Sequence, residues 1–294
     1  MPDRKANWIT MRILKPGMLS LLQDAGRNGY QAFGLPIGGA LDRQAAQVAN
    51  WLLEQSPDHP VLEITLLGPE IEFEGPIQIA LTGADLSPQI NGQPAAMYRT
   101  LSISAGDHLS FGTRVQGCRA YLGVRGDWDV PTWLGSQSAL RVGGQIWPSG
   151  SVLERGQQLR IRGGTPIESR QVKKRPFYSA QATLRLIPGP EFDRFSPASI
   201  DYLTSHAFTL SPDCSRMGYR LEEGLPDYRP GGELISSGIV PGTIQVLPSG
   251  KLIVLLADAQ TTGGYPRLAN IQDRDLDVPA QLAPGDKVRF LLDN

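Results

Sequence analysis

The stretch from Leu252 to Ile271 joins a buried-strand pattern to a dense set of polar side chains. Residues 252–257 form a short continuous apolar run, which is typical of a strand buried on both faces. The residues that follow supply a carboxylate, an amide, hydroxyls, a phenol and a guanidinium around two glycines: Asp258, Gln260, Thr261, Thr262, Gly263, Gly264, Tyr265 and Arg267. Adjacent glycines let the backbone approach another group closely. The pattern predicts a polar site at the end of a buried strand, and a long polar surface loop is the alternative.

Two other short loops, 23–27 and 216–220, also combine glycine with arginine. Arginine commonly holds carboxylates or phosphates through paired hydrogen bonds. Asp24, Asp42 and Asp258 could hold these arginines or serve as a general base. A purely structural ion-pair role for the arginines of loop 216–220 is the alternative. Glu63 is a charged residue in an otherwise apolar strand pattern, so its burial requires an arginine partner.

Composition and charge limit the classes of function. The 294 residues are 40% hydrophobic and 19% charged with a net charge of -1, which predicts a soluble globular protein without a nucleic-acid-binding surface. No apolar stretch is long enough for a transmembrane helix. The first ten residues lack the apolar region of a signal peptide, and Met11 could be a second start. We therefore expect a cytoplasmic protein that does not bind membranes.

The residues that usually hold metals or cofactors are few and dispersed. The two cysteines are far apart and the three histidines are isolated from one another, which favours ordinary reduced thiols and predicts no metal site. Neither a P-loop, a dinucleotide fingerprint, a hydrolase elbow nor a zinc pattern is present. We expect no cofactor to be bound by this chain.

The elements that must position these loops are mostly strands. The chain has 33 glycines and 24 prolines, which favours many short strands joined by tight turns. Asp42 is the expected N-cap of a helix over Ala45–Leu52, and Ser196-Pro197 predicts the start of a shorter helix. Alternation over residues 70–81 predicts two half-buried strands, and residues 242–256 predict a β-hairpin.

One short phrase occurs three times, as SAGDHLSF (104–111), ERGQQLRI (154–161) and APGDKVRF (283–290). Each copy has a glycine turn, two polar residues and then alternating apolar positions, which favours two similar β units. Residues 163–182 are polar, basic and rich in structure breakers, so we place a domain boundary there. The sequence thus predicts a mainly β protein with two barrel-like units.

Six segments of the sequence resemble the KipA family, also described as the biotin-dependent carboxyltransferase-like or allophanate hydrolase subunit 2 family. They are LLQDAGRNGYQAFGLPIGGALD (21–42), AN (49–50), LEITLLGP (62–69), SRMGYRL (215–221), ELISSGIVPGTIQV (233–246) and DAQTTGGYPRLA (258–269). The resemblance extends from about Met11 to Leu292. It implies two tandem cyclophilin-like β-barrel domains with a few short helices, over residues 11–165 and 180–294. The N-terminal segment could pack on the second domain, and the likeness to cyclophilin does not imply prolyl isomerase activity.

The resemblance implies one component of a hydrolase that is inactive alone. In this interpretation the chain acts with a KipI-like B subunit, together with an A subunit, in an ATP-dependent 5-oxoprolinase, which opens 5-oxoproline to glutamate. One alternative is a KipA-type regulatory protein that binds a KipI-like histidine-kinase inhibitor. Another is the carboxyltransferase component of a urea-carboxylase-like biotin enzyme, which acts on a urea-like amide. Because the chain lacks a biotin-carrier motif and an ATP-binding pattern, ATP would be used by the complex.

Loop composition and the resemblance together give a set of candidate site residues. The candidate catalytic residues are Asp24 and Asp258. The candidate substrate-binding residues are Arg27, Arg216, Tyr219, Arg220, Gln245, Gln260, Thr261, Thr262, Gly263, Gly264, Tyr265 and Arg267. If 5-oxoproline binds here, the arginines of the second unit would pair with its carboxylate. The amide, hydroxyl and glycine N–H groups would hydrogen-bond its lactam, at a site between the barrels or at the contact with the partner.

Overall fold

The computed structural model describes residues 7–229 and 234–293. The start of the N-terminal stretch (1–6), Glu233 of the segment 233–246 and the last residue of the second predicted domain, Asn294, lie outside the described residues. The chain divides into two compact units. The first contains the residues up to Arg27 together with Gly38–Tyr178, and the second contains Asn28–Ile37 and the residues from Ser179 onward.

Strands β1 to β14 belong to the first unit. They are β1 (Trp8–Lys15), β2 (Leu19–Gln23), β3 (Val61–Thr65), β4 (Glu70–Phe73), β5 (Ile77–Asp85), β6 (Pro88–Ile90), β7 (Gln93–Pro94), β8 (Thr100–Ile103), β9 (His108–Phe111), β10 (Gln116–Val124), β11 (Gly126–Trp128), β12 (Leu140–Val142), β13 (Gln145–Trp147) and β14 (Gln158–Gly163). One sheet has the order β11-β14-β1-β4-β9-β6-β7, a second has the order β2-β3-β10-β5-β8, and β12 pairs with β13.

The core of the first unit explains why some of its strands are apolar throughout. Side chains from both large sheets form one apolar cluster, which includes Met11, Phe73 and Leu122. Helix α1 (Arg43–Leu52) packs on the other side of β5 and β10 through Ala49 and its neighbours. Strands β5 and β10 are consequently covered on two faces and are buried along almost their whole length.

The second unit contains a closed barrel. Its described strands are β15 (Gln181–Pro188), β16 (Ala207–Cys214), β17 (Gly218–Gly224), β18 (Ser237–Gly238), β19 (Thr243–Val246), β20 (Lys251–Leu255), β21 (Thr262–Gly263), β22 (Arg267–Ile271) and β23 (Lys287–Leu292). The barrel order is β15-β22-β19-β20-β17-β16-β23, and β23 closes it by parallel pairing with β15. Strands β18 and β21 form a separate short ladder. Helix α2 (Pro197–Ser205) packs on β23.

The three copies of the recurring phrase adopt the same turn. Gly106, Gly156 and Gly285 have φ values of 88°, 82° and 88°, a left-handed conformation that favours glycine. In each copy the second residue after the glycine is the first residue of a strand, namely β9, β14 or β23. The side chain of the residue after the glycine accepts a hydrogen bond from the backbone N–H three positions earlier. The repeat therefore encodes a turn that leads into a strand.

The mainly β prediction is confirmed, and the described elements agree with its local signals. Asp42 accepts a hydrogen bond from Ala45 N and caps α1, and Ser196 caps α2. Strands β19 and β20 form the predicted hairpin. The two strands of residues 70–81 differ from each other, because β4 is half-buried whereas β5 is covered by α1 as well. None of the helices in the described part of the chain is long and apolar enough to cross a membrane.

Candidate functional site

The loop that follows β20 is held against the loop that precedes β17. Leu256 N donates to Met217 O at 3.0 Å and Asp258 N donates to Arg216 O at 3.1 Å, so the pairing of β17 with β20 continues beyond the strand ends. Ala259 N then turns back to Leu256 O. The predicted polar segment therefore begins where the buried strand leaves the barrel.

Arg216 and Asp258 form a two-point ion pair at this position. Arg216 Nε lies 2.8 Å from Asp258 Oδ2, and Arg216 Nη2 lies 2.9 Å from Oδ1. The two side chains are only 5% and 14% exposed, so the pair is largely shielded from water. Such paired contacts fix both groups in orientation. The pairing favours a positioning role for Asp258 and leaves its assignment as a general base a prediction.

Arg267 is held by Glu191, a residue that the sequence analysis did not single out. Glu191 accepts hydrogen bonds from Arg267 N and Nε at 2.9 Å each and from Nη2 at 2.6 Å. The Arg267 hydrogen bond lowers the pKa of Glu191, and the same contact raises the pKa of Arg267. Arg267 Nη1 donates to Gly238 O at 2.9 Å. The pair thus connects β22 to the segment that contains β18.

We expect the Glu191–Arg267 pair to stabilise the folded protein at neutral pH and to lose this effect in acid. The pKa of Glu191 lies below its ordinary value of 4.5 in the folded state. A depressed carboxyl pKa adds stability above the unfolded-state pKa, and that stability is lost as the pH falls through the folded-state value. The free energies of unfolding of wild type and Glu191→Gln should therefore differ at pH 7, begin to approach each other near pH 4.5 and converge only below the lowered folded-state pKa of Glu191. A constant difference between pH 3 and pH 7 would contradict this linkage.

Gln245 explains why glycine stands at position 263. Gln245 is 1% exposed, and its Nε2 donates to Tyr265 O at 3.3 Å. A Cβ atom at position 263 would lie 2.7 Å from that same Nε2. The chain therefore passes directly over a buried amide, which is the close backbone approach that the glycine pair predicts.

A cavity of about 540 Å³ lies beside this loop, entirely within the second unit. One wall is formed by Gln260, Thr261 and Thr262, and another by residues 238–241. Ala257, Ala259 and residues of the segment 31–37 provide the remaining lining. Ile239 N donates to Thr261 O at 3.0 Å, and the β18–β21 ladder joins the first two walls. The volume falls in the range of small-molecule sites, roughly 300–1,000 Å³.

The lining of this cavity is mostly apolar and includes no charged side chain. Its side-chain hydrogen-bonding groups are amides and hydroxyls from Gln31, Gln260, Thr261 and Thr262. Ile239 and Ala259 pack with Leu255 in an apolar cluster next to them. Amides and hydroxyls both donate and accept hydrogen bonds. The cavity can therefore hold a neutral polar group against an apolar surface.

The remaining candidates of the second unit occupy other environments. Tyr219 is 2% exposed and contributes to the barrel, opposite Val254. Arg220 is exposed and lines a surface pocket of about 280 Å³ with Asp213 and Lys251. Tyr265 is 45% exposed. The structure thus brings Gln260, Thr261 and Thr262 together in one cavity. Tyr219 and Arg220 do not line that cavity.

Asp24 and Arg27 belong to the first unit. Asp24 accepts hydrogen bonds from Gly26 N, Gln137 N and the hydroxyls of Ser136 and Ser138. Arg27 is 1% exposed, donates to Ser138 O at 2.6 Å and stacks over the Trp133 ring at 4.9 Å. Both side chains tie loop 23–27 to residues 133–138. The geometry favours a structural contribution, and the catalytic assignment of Asp24 remains a prediction.

The described residues contain no cluster of three or more histidine, cysteine or acidic side chains that could hold a metal ion. Sequence analysis missed Glu191, the two serines that hold Asp24, and the lining residues of segments 31–37 and 238–241. The signals for these residues are weak, because short polar and proline-containing segments are common in loops. Glu191 follows a turn that the sequence does show, Pro188-Gly189-Pro190.

Fold and site together define a β-barrel protein with a cavity of small-molecule size in its second unit. Comparison with known families identifies it further: the chain belongs to the family described as carboxyltransferase domain, subdomain A and B, whose model matches residues 33–292. The match confirms the resemblance to carboxyltransferase-like proteins. It covers most of both units, so it applies to the architecture as a whole.

Individual relatives agree with this assignment. The chain is 36% identical to the C subunit of 5-oxoprolinase from Escherichia coli over 96% of its own length and 90% of the relative's. The solved structure of TTHA0988 superposes with a TM-score of 0.87 at 31% identity, over 98% of this chain and 56% of the other. The Kluyveromyces lactis urea amidolyase superposes with a TM-score of 0.88 at 26% identity, over 97% of this chain. The chain spans only 19% of that enzyme.

Proposed function

We propose that the chain is one component of an ATP-dependent 5-oxoprolinase, a cytoplasmic hydrolase that opens 5-oxoproline to glutamate. The observation that carries the proposal is the 36% identity to the C subunit of Escherichia coli 5-oxoprolinase, over nearly the full length of both chains. In this proposal the chain acts with an A subunit, together with a KipI-like B subunit, and is inactive alone. ATP is used by the assembled complex.

The cavity beside Gln260 supports a lactam as the bound group. A lactam has one N–H donor and one carbonyl acceptor, and the amide and hydroxyls of Gln260, Thr261 and Thr262 can satisfy both. The apolar cluster that includes Ile239 suits the ring methylenes. These contacts would distinguish a cyclic amide from a charged acyclic amino acid.

Because Arg216 and Arg267 are already paired, the carboxylate of 5-oxoproline would be bound differently from the sequence-based expectation. Arg216 and Arg267 each hold a carboxylate of the chain itself, Asp258 and Glu191 respectively. Releasing either arginine to a ligand would leave that carboxylate without its ion-pair partner, which is costly in a shielded position. We therefore assign Arg216 and Arg267 to shaping the cavity walls. The substrate carboxylate would then lie at the cavity mouth, where water or a partner protein contacts it.

A second candidate function is the carboxyltransferase part of a urea-carboxylase-like enzyme. The TM-score of 0.88 with the Kluyveromyces lactis urea amidolyase favours it. A urea-like amide presents the same donor and acceptor groups as a lactam, so the cavity alone does not separate the two substrates. This alternative requires a biotin carboxylase partner, whereas a KipA-type regulatory role requires a kinase inhibitor as the partner and no substrate.

The proposal is tested by ATP-dependent release of glutamate from 5-oxoproline with the chain assembled with candidate A and B subunits. Activity should disappear when this chain is omitted. The variant Gln260→Ala should lower kcat/KM about tenfold, the effect of losing one hydrogen bond to a substrate. Gln181→Ala, an exposed glutamine outside the cavity on β15, is the matched control and should have no effect.

The outcomes separate the candidate functions. A properly assembled complex that releases no glutamate, or that works without this chain, would refute the 5-oxoprolinase proposal. Activity that requires the chain but is equally insensitive to Gln260→Ala and Gln181→Ala would keep the function and reject this cavity as its site. Carboxylation of urea with a biotin carboxylase partner would support the second candidate.

A further inference from the structure

A small cavity of about 60 Å³ lies within the first unit. It is bounded by the end of β2, the first turns of α1 and the loop 57–59. The cavity shares no lining residue with the cavity beside Gln260. Its volume is sufficient for a group of a few heavy atoms, because a single water needs roughly 10–15 Å³ of such space.

Gln23 is one of the residues that line this cavity. The side chain is completely buried, and its Nε2 donates to Ala139 O at 3.1 Å. The Oε1 atom has no hydrogen-bond partner among the described residues. If Nε2 and Oε1 exchanged places, Oε1 would face Ala139 O and two acceptors would be in contact. The hydrogen bond to Ala139 O therefore fixes the orientation of the Gln23 amide. A ligand that donates a hydrogen bond would satisfy an atom that is otherwise costly to bury.

The charges around the cavity favour a cation. Asp24 and Asp58 contribute carboxylates, and Arg43 contributes one guanidinium. The donors that hold Asp24 are uncharged N–H and O–H groups, so within the described residues its negative charge is solvated by hydrogen bonds and is not cancelled by an ion pair. Burial lowers the pKa of His59, which keeps its imidazole neutral at pH 7. The lining therefore has an excess of negative charge.

The wall formed by loop 57–59 is fixed before any ligand binds. Asn50 is 1% exposed, and its Nδ2 donates to Pro57 O at 3.1 Å and to His59 O at 2.7 Å. On the other side of the loop, the His59 ring contacts Gly126 O at 2.8 Å. The loop is thus attached both to α1 and to β11. A preformed wall reduces the entropic cost of binding.

We propose that this cavity binds a small cation with N–H donors, for which ammonium and the head group of a short primary amine are the simplest examples. One N–H donates to Gln23 Oε1, and the carboxylates of Asp24 and Asp58 supply the compensating charge. This site goes beyond the proposed enzymatic function and does not depend on it. A potassium ion has a similar charge and size but no N–H group, so it should bind more weakly.

The proposal is tested with the full-length, ¹⁵N-labelled protein by titration with ammonium chloride, methylammonium chloride or potassium chloride at constant ionic strength. Ammonium and methylammonium should cause saturable shifts of the amide signals of residues 23–25, 43–47 and 57–59. Asp58→Asn should weaken this binding about fivefold, the effect of one charge near a protein surface. Asp201→Asn, an exposed aspartate on α2 in the second unit, is the matched control and should leave it unchanged.

Gln23→Leu should abolish the saturable response, because it removes the buried acceptor. Asp58 is exposed, so Asp58→Asn provides an independent test even if Gln23→Leu impairs folding. Equal responses to potassium and ammonium would overturn the requirement for an N–H donor. Binding that Asp58→Asn and Asp201→Asn affect equally would overturn the location of the site. The absence of any saturable response would overturn the proposal as a whole.

Discussion

Replacing Asp258 by alanine is expected to lower the free energy of unfolding of the second unit by about 3 kcal/mol. The substitution removes the carboxylate that binds Arg216 at two points while the guanidinium stays 5% exposed. Removing one partner of a shielded ion pair costs roughly 3–5 kcal/mol, because the remaining charge stays shielded from water while its interaction with that carboxylate is lost. The lower value is appropriate since Asp258 keeps some access to solvent, with 14% of its side chain exposed.

The measurement is urea unfolding followed by two signals. All five tryptophans of the chain lie in the first unit, so their fluorescence reports on that unit alone, whereas circular dichroism reports on both. Asp258→Ala should shift the circular dichroism transition more than the fluorescence transition. Glu222→Ala is the control, because its ion pair with Lys251 is exposed and 3.8 Å long, and should cost less than about 1 kcal/mol. Equal losses for Asp258→Ala and Glu222→Ala would show that the Arg216 pair does not stabilise the barrel.

The same substitution should also affect the cavity beside Gln260. Ala257 and Ala259 line that cavity, and both flank Asp258 in the chain. The ion pair is one of the contacts that hold this wall, together with the backbone hydrogen bond from Asp258 N to Arg216 O. We therefore expect weaker substrate binding by Asp258→Ala at temperatures where the unit remains folded. This effect would separate a positioning residue from a general base, whose loss lowers kcat at unchanged substrate affinity.

Local sequence signals predicted much of the fold because their physical causes are local. The cap formed by Asp42, the Ser196-Pro197 helix start and the three glycine turns each depend on residues within a few positions. The hairpin of β19 and β20 is similarly short, with Gly250 N bonded to Leu247 O. In these cases one backbone conformation satisfies nearby donors and acceptors, so the residue types suffice.

The partners of the polar residues could not be predicted in the same way. Arg267 and Glu191 are separated by 76 positions, and Arg216 and Asp258 by 42. The sequence indicates that a buried charge needs a partner. The pairing of strands in the closed barrel determines which carboxylate lies next to that charge. The segment Asn28–Ile37 shows the same limit, because it packs with the second unit although its neighbours on both sides belong to the first. No periodicity within ten residues specifies such a long-range association.

Glu63 was expected to need an arginine partner if buried, and the structure supplies one. Arg119 Nε lies 3.5 Å from Glu63 Oε1, and both side chains are less than 5% exposed. Glu63 Oε2 also accepts hydrogen bonds from Leu41 N at 2.8 Å and from the Tyr121 hydroxyl at 2.9 Å. Burial raises the pKa of Tyr121 well above its ordinary value, so the phenol keeps its proton and donates. A single carboxylate thus holds two strands and the loop that precedes α1.

Replacing Glu63 by alanine is expected to lower the free energy of unfolding of the first unit by about 3–5 kcal/mol, the largest effect predicted for this chain. The substitution removes the acceptor of Leu41 N and Tyr121 and the carboxylate next to Arg119. Tryptophan fluorescence during urea unfolding measures the effect directly, since every tryptophan is in this unit. Glu72→Ala is the control, because the Glu72–Arg12 pair on β4 and β1 is exposed and should contribute less than about 1 kcal/mol.

The conservative variant Glu63→Gln separates charge from hydrogen bonding. A glutamine keeps one acceptor for Leu41 N and Tyr121 but turns its donor towards Arg119, so we expect a loss between those of Glu63→Ala and Glu72→Ala. A loss as small as that of Glu72→Ala would mean that the charge of Glu63 is dispensable. Because the loop held by Glu63 leads into Ala40 and Arg43 at the small cavity, Glu63→Ala should also weaken the ammonium response. An unchanged response would show that the walls of that cavity are held without Glu63.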